Sequence, residues 1–536
     1  MGGMARHPEL VTQIQTLLSA GRWREASVYV RHAAQHIDHR QQAHELRALV
    51  HQVPADVQST GIWPEALAWV AYRAADHSLL HAALEKAPGR WPAFEAFRAS
   101  LQGRWTDTLA WAEQAGQDHK PGPEATLAAR FRACALAELQ RPGWQEAYRE
   151  AAQQASGRDR GLLLLELGHH LSSRQQEEAA REAYARAVPE LRADPWSLTL
   201  TQANLGITCL RLGLLPDAER ALRAALKTGQ QGAGGQHLST VWRGLGGLAL
   251  HRGQFARAHH AFGVAYTKAD NSADQVAAQR GTARAYRLQA RYDEAMTQLH
   301  EALRSASALQ PDGQIQAHPV YADLAALHLL IGDPAGAQVS LGRAVAATAS
   351  DDWRIRVVQA ELQRQGGEPE PEAGLRALRL DQTWAQEEAW VFPALFAPLK
   401  QTAPRPLWSA QVSADGPITL SMGGEAVALS PWRVSASLLA FLVYHGGSVA
   451  AERALEALDL SGETVRARQQ ALSKAVTELR TLLGWPDSVL STGGLLSLSS
   501  EPCWDVLRTP TAARHDLFCE GRLDPWVTEW REHHQH

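Results

Sequence analysis

Cysteine is scarce and scattered in this chain. Cys134, Cys209, Cys503 and Cys519 stand far apart with no paired spacing, which argues against a disulfide framework and for a reducing, cytoplasmic setting. No apolar run approaches the roughly 18 residues of a spanning helix, and no charged-then-apolar leader opens the chain, so no membrane is expected as a partner. The start, Met1-Gly2-Gly3-Met4, lacks the small hydroxyl residue of an N-myristoylation signal. Charge of one sign is also missing: the net value is -4 over 536 residues, which implies no bulk attraction to polyanions or lipid. Catalytic signatures are absent too. There is no G-x-x-x-x-G-K-[ST] loop to cradle phosphates, no G-x-S-x-G elbow and no H-E-x-x-H helix. His32, His36 and His39 share a helix-like spacing but lack a carboxylate or cysteine cluster beside them to complete a metal site. The expectation is a non-enzyme with no cofactor and no metal.

What is present is a repeat. Between Trp242 and Ala265 the chain reads Trp242, Leu245, Gly246, Ala249, Ala258, Phe262, Ala265. This resembles the tetratricopeptide pattern: a bulky residue and Leu-Gly on one helix, then Ala, Phe and Ala on a second. Two antiparallel helices approach closely only where small residues such as Gly246 and Ala258 sit at the crossing, with Trp242 and Phe262 filling the wider ends. Such a pair cannot bury its apolar face alone and needs neighbours. Upstream, the template matches Leu164, Leu167, Gly168, Leu171, Ala180, Tyr184, Ala187, then Leu205, Gly206, Cys209, Ala218, Leu222, Ala225. Downstream it matches Ala283, Tyr286, Ala295, Leu299, Ala302, then Tyr321, Leu324, Ala325, His328, Ala337, Leu341, Ala344. The anchoring small residue recurs at 168, 206, 246, 283 and 325, slightly wider than the standard period of about 34.

The first 155 residues read as divergent repeats. Leu17, Leu18, Gly21, Trp23, Ala26 and Val30 fit a helix-turn-helix with Gly21-Arg22-Trp23 as the link, and Trp63, Trp69, Trp91, Trp105, Trp111 and Trp144 recur among Ala and Leu. Gly366-Gly367-Glu368-Pro369-Glu370-Pro371 breaks the pattern. A helical connector follows from about Glu372 to Lys400, ended by Pro404-Arg405-Pro406.

Beyond Leu407 the grammar changes. Residues 417–421 and 426–429 alternate around Gly423-Gly424 and predict a hairpin. Pro431 opens a helix with Val434, Leu438, Leu439, Phe441 and Leu442 inward, stopped by Gly446-Gly447. A second helix covers about 450–458. A third runs over about 463–483, with Leu472, Val476, Leu479 and Leu483 inward, and residues 489–498 form a tight hairpin around Gly493-Gly494. The order of hairpin, three helices and hairpin predicts a winged helix with an N-terminal β platform. The segments Leu438-Leu439-Ala440-Phe441-Leu442, Ala467-Arg468, and Ala475-Val476-Thr477-Glu478-Leu479-Arg480-Thr481-Leu482-Leu483-Gly484 resemble the winged helix of response-regulator effectors. They are most similar to that of the antibiotic regulatory protein (SARP) family with its bacterial transcriptional activator domain. Phe518-Cys519-Glu520-Gly521, Trp526-Val527 and Trp530-Arg531 resemble the start of that family's helical module. In the family the winged helix usually precedes the repeats, whereas here the repeats come first.

Two sets of candidate site residues follow. The resemblance implies that the third helix enters the DNA major groove and the wing touches the backbone. Its solvent side then carries Arg466, Arg468, Gln470, Ser473, Lys474 and Thr477, side chains suited to base edges and phosphates. Against this, residues 405–500 hold seven basic and eight acidic side chains, and the wing has no Lys or Arg. Phosphate neutralisation supplies much of DNA affinity, so binding per domain should be weak and aided by homodimerisation or neighbouring sites. In tetratricopeptide folds the first helix of each pair lines a concave groove where extended peptides bind. That register puts Asn204, Arg211, Arg243, His251, Arg280, Arg284 and Arg287 in the groove. Arg280, Arg284 and Arg287 share a helix face, and no acid occupies the groove positions of their repeats, so an acidic protein or peptide ligand fits.

The expected fold class is mainly α: a tetratricopeptide-like solenoid followed by a small C-terminal α+β winged helix. The expected layout is divergent repeats over 1–155, the solenoid over 156–365, the connector over 366–406, the winged helix over 407–500 and a helical tail over 501–536. Two function classes fit: a cytoplasmic transcription regulator with a peptide-sensing solenoid and a DNA-binding domain, or an adaptor in which both parts bind protein.

Overall fold

The computed structural model describes residues 7–118, 122–232, 235–307, 313–347, 353–401, 409–506 and 518–533. Met1-Gly2-Gly3-Met4, Pro404-Arg405-Pro406 and His534-Gln535-His536 lie outside the described residues. The chain divides into two compact units, residues 1–241 and 242–536.

The first unit opens with α1 (His7–Ser19), α2 (Trp23–Gln35), α3 (Arg40–Val50), α4 (Trp63–Ala74) and α5 (His77–Glu85). There follow α6 (Pro92–Leu101), α7 (Trp105–Asp118), α8 (Pro123–Glu138) and α9 (Trp144–Gln154). Gly21 makes the expected turn between α1 and α2, at φ +68°. Trp63, Trp69 and Phe94 are fully buried in one cluster with Leu46 and Leu67. His39 is spent on local structure, since its ring accepts from the Gln41 amide at 3.0 Å and caps α3. Two regular pairs complete the unit, α10 (Gly157–Ser173) with α11 (Glu177–Glu190) and α12 (Pro195–Arg211) with α13 (Leu215–Gln231).

Three more pairs span the start of the second unit: α14 (Leu238–His251) with α15 (Phe255–Thr267), α16 (Ser272–Leu288) with α17 (Tyr292–Ser307), and α18 (Gly313–Leu330) with α19 (Pro334–Ala347). All five share one packing rule. A Cβ on Gly168 would lie 2.6 Å from Tyr184, one on Gly206 2.6 Å from Leu222, and one on Gly246 2.6 Å from Phe262. The large residue always stands sixteen positions after the glycine, and Ala283 with Leu299 and Ala325 with Leu341 keep that interval as buried pairs. The crossing is therefore small against large. Gly246 faces the Phe262 ring rather than Ala258, and Gly281 of α16 lies against the same ring.

After α20 (Trp353–Gln365) the connector is compact. A 3-10 turn (Pro371–Leu375) leads to α21 (Thr383–Val391) and the short α22 (Pro393–Phe396). Leu375, Trp384, Ala385, Ala389, Leu395 and Phe396 are buried with Ala325, Leu341 and Ile355.

The C-terminal α+β region contains β1 (Ser409–Ser413), β2 (Thr419–Met422), β3 (Glu425–Val427), α23 (Val434–Tyr444), β4 (Ser448–Ala450) and α24 (Ala451–Ala457). It continues with α25 (Val465–Leu483), β5 (Val489–Thr492), β6 (Leu495–Leu498), β7 (Cys503–Val506) and α26 (Pro525–His533). One sheet has the order β3-β2-β1-β7 and the other β4-β6-β5. Both expected hairpins are present, turning at Gly423-Gly424 and Gly493-Gly494 with positive φ at each glycine. Leu438, Leu439, Phe441 and Leu442 of α23 pack on Leu472, Val476, Leu479 and Leu483 of α25 in one core. Residues beyond 500 share that core rather than trailing from it. β7 pairs in parallel with β1, and Phe518, Cys519, Trp526 and Val527 are buried there. The fold class is thus mainly α, with tetratricopeptide-like helix pairs followed by a small α+β region.

Candidate functional site

Helix α16 is opened by Asn271, whose side chain accepts from the Asp274 amide at 2.9 Å. Apolar Val276, Ala278, Ala283 and Ala285 on this helix are buried, and the arginines occupy the remaining face. Spacing i, i+4, i+7 places Arg280, Arg284 and Arg287 in a row. The row meets carboxylates, contrary to the expectation of an uncompensated strip. Arg280 binds Asp323 of α18 at 2.8 Å. Arg284 pairs with Glu387, and Arg287 binds Glu388 at 2.6 Å. Arg354 of α20 joins them, 2.7 Å from Glu388 and 3.5 Å from Asp323. Adjacent residues on a helix diverge by about 100°, so Glu387 and Glu388 of α21 reach different arginines on two helices.

The cluster is dry at its centre. Arg287 is 5% exposed and Glu388 0%, whereas Arg284 is 35% exposed above a buried Glu387. Burial alone would raise the Glu388 carboxyl, but Arg287 and Arg354 outweigh it and hold the group below the ordinary range. Asp323 is lowered in the same way, with burial overridden by Arg280 and Arg354. Burial lowers the Arg354 guanidinium, and the charge of Arg287 adds to that. His251, at the end of α14, has its ring 6.1 Å from Trp390 of α21, and burial lowers its pKa. Trp390 and Val391 pack on Ala249, Leu250, Ala258 and Phe262.

Of the remaining groove candidates, Arg243 is half-buried on α14. In the first unit Asn204 is half-buried, and Arg211 donates to Glu177 at 2.9 Å and to Ser172 at 2.8 Å. Asp323, Arg354, Glu387 and Glu388 escaped sequence reasoning, because their partners lie 31 to 103 positions away. Only the adjacent Glu387-Glu388 pair in the connector helix hinted at them.

On α25 the cap is Thr464, which accepts from the Ala467 amide at 3.2 Å. Arg466, Gln470, Ser473, Lys474 and Thr477 are exposed. Arg468 is half-buried and donates to the Leu455 carbonyl, tying α25 to α24. Arg480 donates to the Val489 carbonyl at 2.8 Å and fixes β5 beside the helix. Between α25 and the β5–β6 hairpin lies an open groove of about 560 Å³, lined by Gln469, Ser473, Thr477, Ser491 and Gly493 among others. The α+β region also touches the repeats within its own unit. Glu501 accepts from the Ala256 amide at 2.5 Å, supplying an acceptor to the first turn of α15, where backbone donors have no helical partner.

No helix among the described residues is long and apolar enough to cross a membrane. No family model matches the chain, and no curated protein matches it. Among solved structures it is similar to a Rap protein complexed with Competence and Sporulation Factor, at 12% identity over 58% of this chain and 92% of that one, TM-score 0.46. A tetratricopeptide repeat protein from Parabacteroides merdae is 12% identical over 51% of this chain and 98% of that one, TM-score 0.40. PlcR of Bacillus thuringiensis, in complex with the peptide PapR7 and DNA, is 14% identical over 51% of this chain and 98% of that one, TM-score 0.33.

Proposed function

We propose that this chain is a cytoplasmic, non-enzymatic transcription regulator. Its helical repeats sense a protein or peptide, and its C-terminal region is a winged helix of the SARP kind that binds DNA. The observation that carries the DNA reading is α25. Its apolar side is spent on the core, and its other side presents Arg466, Gln470, Ser473, Lys474 and Thr477 to solvent. A groove beside a short hairpin completes the surface, the arrangement a recognition helix and wing need to straddle a duplex. Few cations serve this face, so two copies on neighbouring half-sites are part of the proposal.

The adaptor reading draws on one observation, the absence of Lys and Arg from residues 489–498. Selection from a pool of random duplexes by the full-length chain, at 50 and 200 mM salt, separates the two. A regulator enriches a sequence and loses affinity steeply with salt. An adaptor retains nothing at either concentration.

A further inference from the structure

We infer that the arginine face of α16 is a receptor for an acidic-aromatic segment, and that α21 is its resident, displaceable occupant. The ligand class is a peptide or protein segment with two adjacent carboxylates and an aromatic residue two positions later. Residues Glu387-Glu388-Ala389-Trp390 of the chain itself are the template. The inference rests on the reading of this face as a ligand-binding one and adds what the ligand looks like.

Three features of the cluster point this way. First, the pairing is specific and divided: Glu387 on Arg284, Glu388 on Arg287 and Arg354, Trp390 on His251 and the apolar floor. A connector that only had to stay attached could do so with apolar side chains, because buried ion pairs are frequently no better than a packed apolar substitute. Second, the resident fits incompletely. Among the described residues, Trp390 Nε1 is buried without a hydrogen-bond partner, as is the side-chain oxygen of Gln279 on α16. A ligand that answers these polar atoms binds better than the resident. Third, α21 is short, and its buried apolar anchors are Trp384, Ala385 and Ala389. It has nine residues, too few to hold a helix unaided, and breaks flank it at Gln382, which is extended, and at Phe392-Pro393.

Displacement has a route to the rest of the unit. Trp390 and Val391 pack on the α14–α15 pair, and α15 receives Glu501 of the α+β region at its first turn. Removing α21 therefore changes the packing of the helix on which that region is seated.

The probe is a fluorescein-labelled peptide copying residues 383–391, read by anisotropy against the full chain. With Glu387→Gln and Glu388→Gln together, the resident is weakened and the free peptide should bind at least ten-fold more tightly than to the parent. A peptide carrying Gln at both positions should not bind, and adding Arg284→Glu should abolish uptake. Should the double variant fail to fold, Glu387→Gln alone serves, because Arg284 is one-third exposed and the Glu388 pairs remain. In the parent, saturating peptide should speed hydrogen exchange at 383–391 and leave 23–50 unchanged. Equal uptake by parent and variant, or none by a folded variant, overturns the inference. Displacement in a chain that retains no duplex at either salt concentration leaves this inference standing and removes the regulator reading. DNA retention with no displacement in any variant does the reverse.

Discussion

Arg287 and Glu388 lie 101 positions apart in the chain, yet their charged groups meet at 2.6 Å with almost no solvent on either. Without Glu388, Arg287 would be a buried charge stripped of its ion-pair partner. Together with Arg354 they form the centre of a network that fastens α21 to α16 and α20. The network is where the repeat fold stops being a generic stack of helix pairs and acquires a chemistry of its own.

Removing one member should show its weight. Glu388→Ala takes the ion-pair partner of Arg287 out of a dry site, and breaking such a pair costs about 3–5 kcal/mol. Thermal unfolding followed by circular dichroism should move down by several degrees. Glu387→Gln should shift it much less, since its partner Arg284 still reaches water. Equal shifts would mean that the cluster is not organised around Glu388.

The small-against-large rule of the repeats is as easy to test. Gly246→Ala puts a methyl 2.6 Å from the Phe262 ring, and overpacking of this kind costs about 1–3 kcal/mol. Ala258→Leu, at a fully buried position, should cost a similar amount. Ala269→Leu, half-buried just beyond the end of α15, should be nearly silent. Matching melting shifts at 246 and 269 would contradict the register.

Acid should loosen the repeats before it touches the carboxylates. His170 and His259 are each pushed from 6.5 down to about 4, by burial first and then by neighbouring cations or, for His170, His169 as well. Their neutral rings contribute stability that is present above pH 6.5 and declines as pH falls through about 4. Asp323 and Glu388, also lowered, give up theirs at lower pH still. The melting temperature should therefore fall between pH 6.5 and 4. His170→Phe, which keeps the ring packed on Trp144 and Tyr148, should flatten part of that fall. A profile unchanged by the substitution would exclude His170 as a cause.

The repeats were legible because their rule is local. Gly246 and Phe262 are sixteen residues apart, within one helix pair, so spacing alone announces their meeting. The same holds for the glycine turns at 423–424 and 493–494 and for the inward stripe of α25. The arginine row could be placed on one face of α16, but its partners could not, because no local period links residue 284 to residue 387. Strands β1, β4 and β7 escaped for a related reason. Each is three to five residues long, too short for alternation to stand out, and β7 is defined by a parallel partner about ninety residues away. Arg468 looked like its exposed neighbours on the helical wheel, and only the placement of α24 turned it to the Leu455 carbonyl.

A regulator of this design depends on α25 meeting DNA, and the salt dependence of duplex binding reads that encounter most directly. Arg466 and Lys474 are exposed on the outer face of the helix. With the duplex selected by the full-length parent, log K should fall linearly with log salt. Arg466→Ala with Lys474→Ala should flatten that slope by about 1.8, near 0.9 for each phosphate no longer neutralised, while the melting temperature stays put. An identical slope and affinity in the double variant would contradict a DNA-binding role for α25.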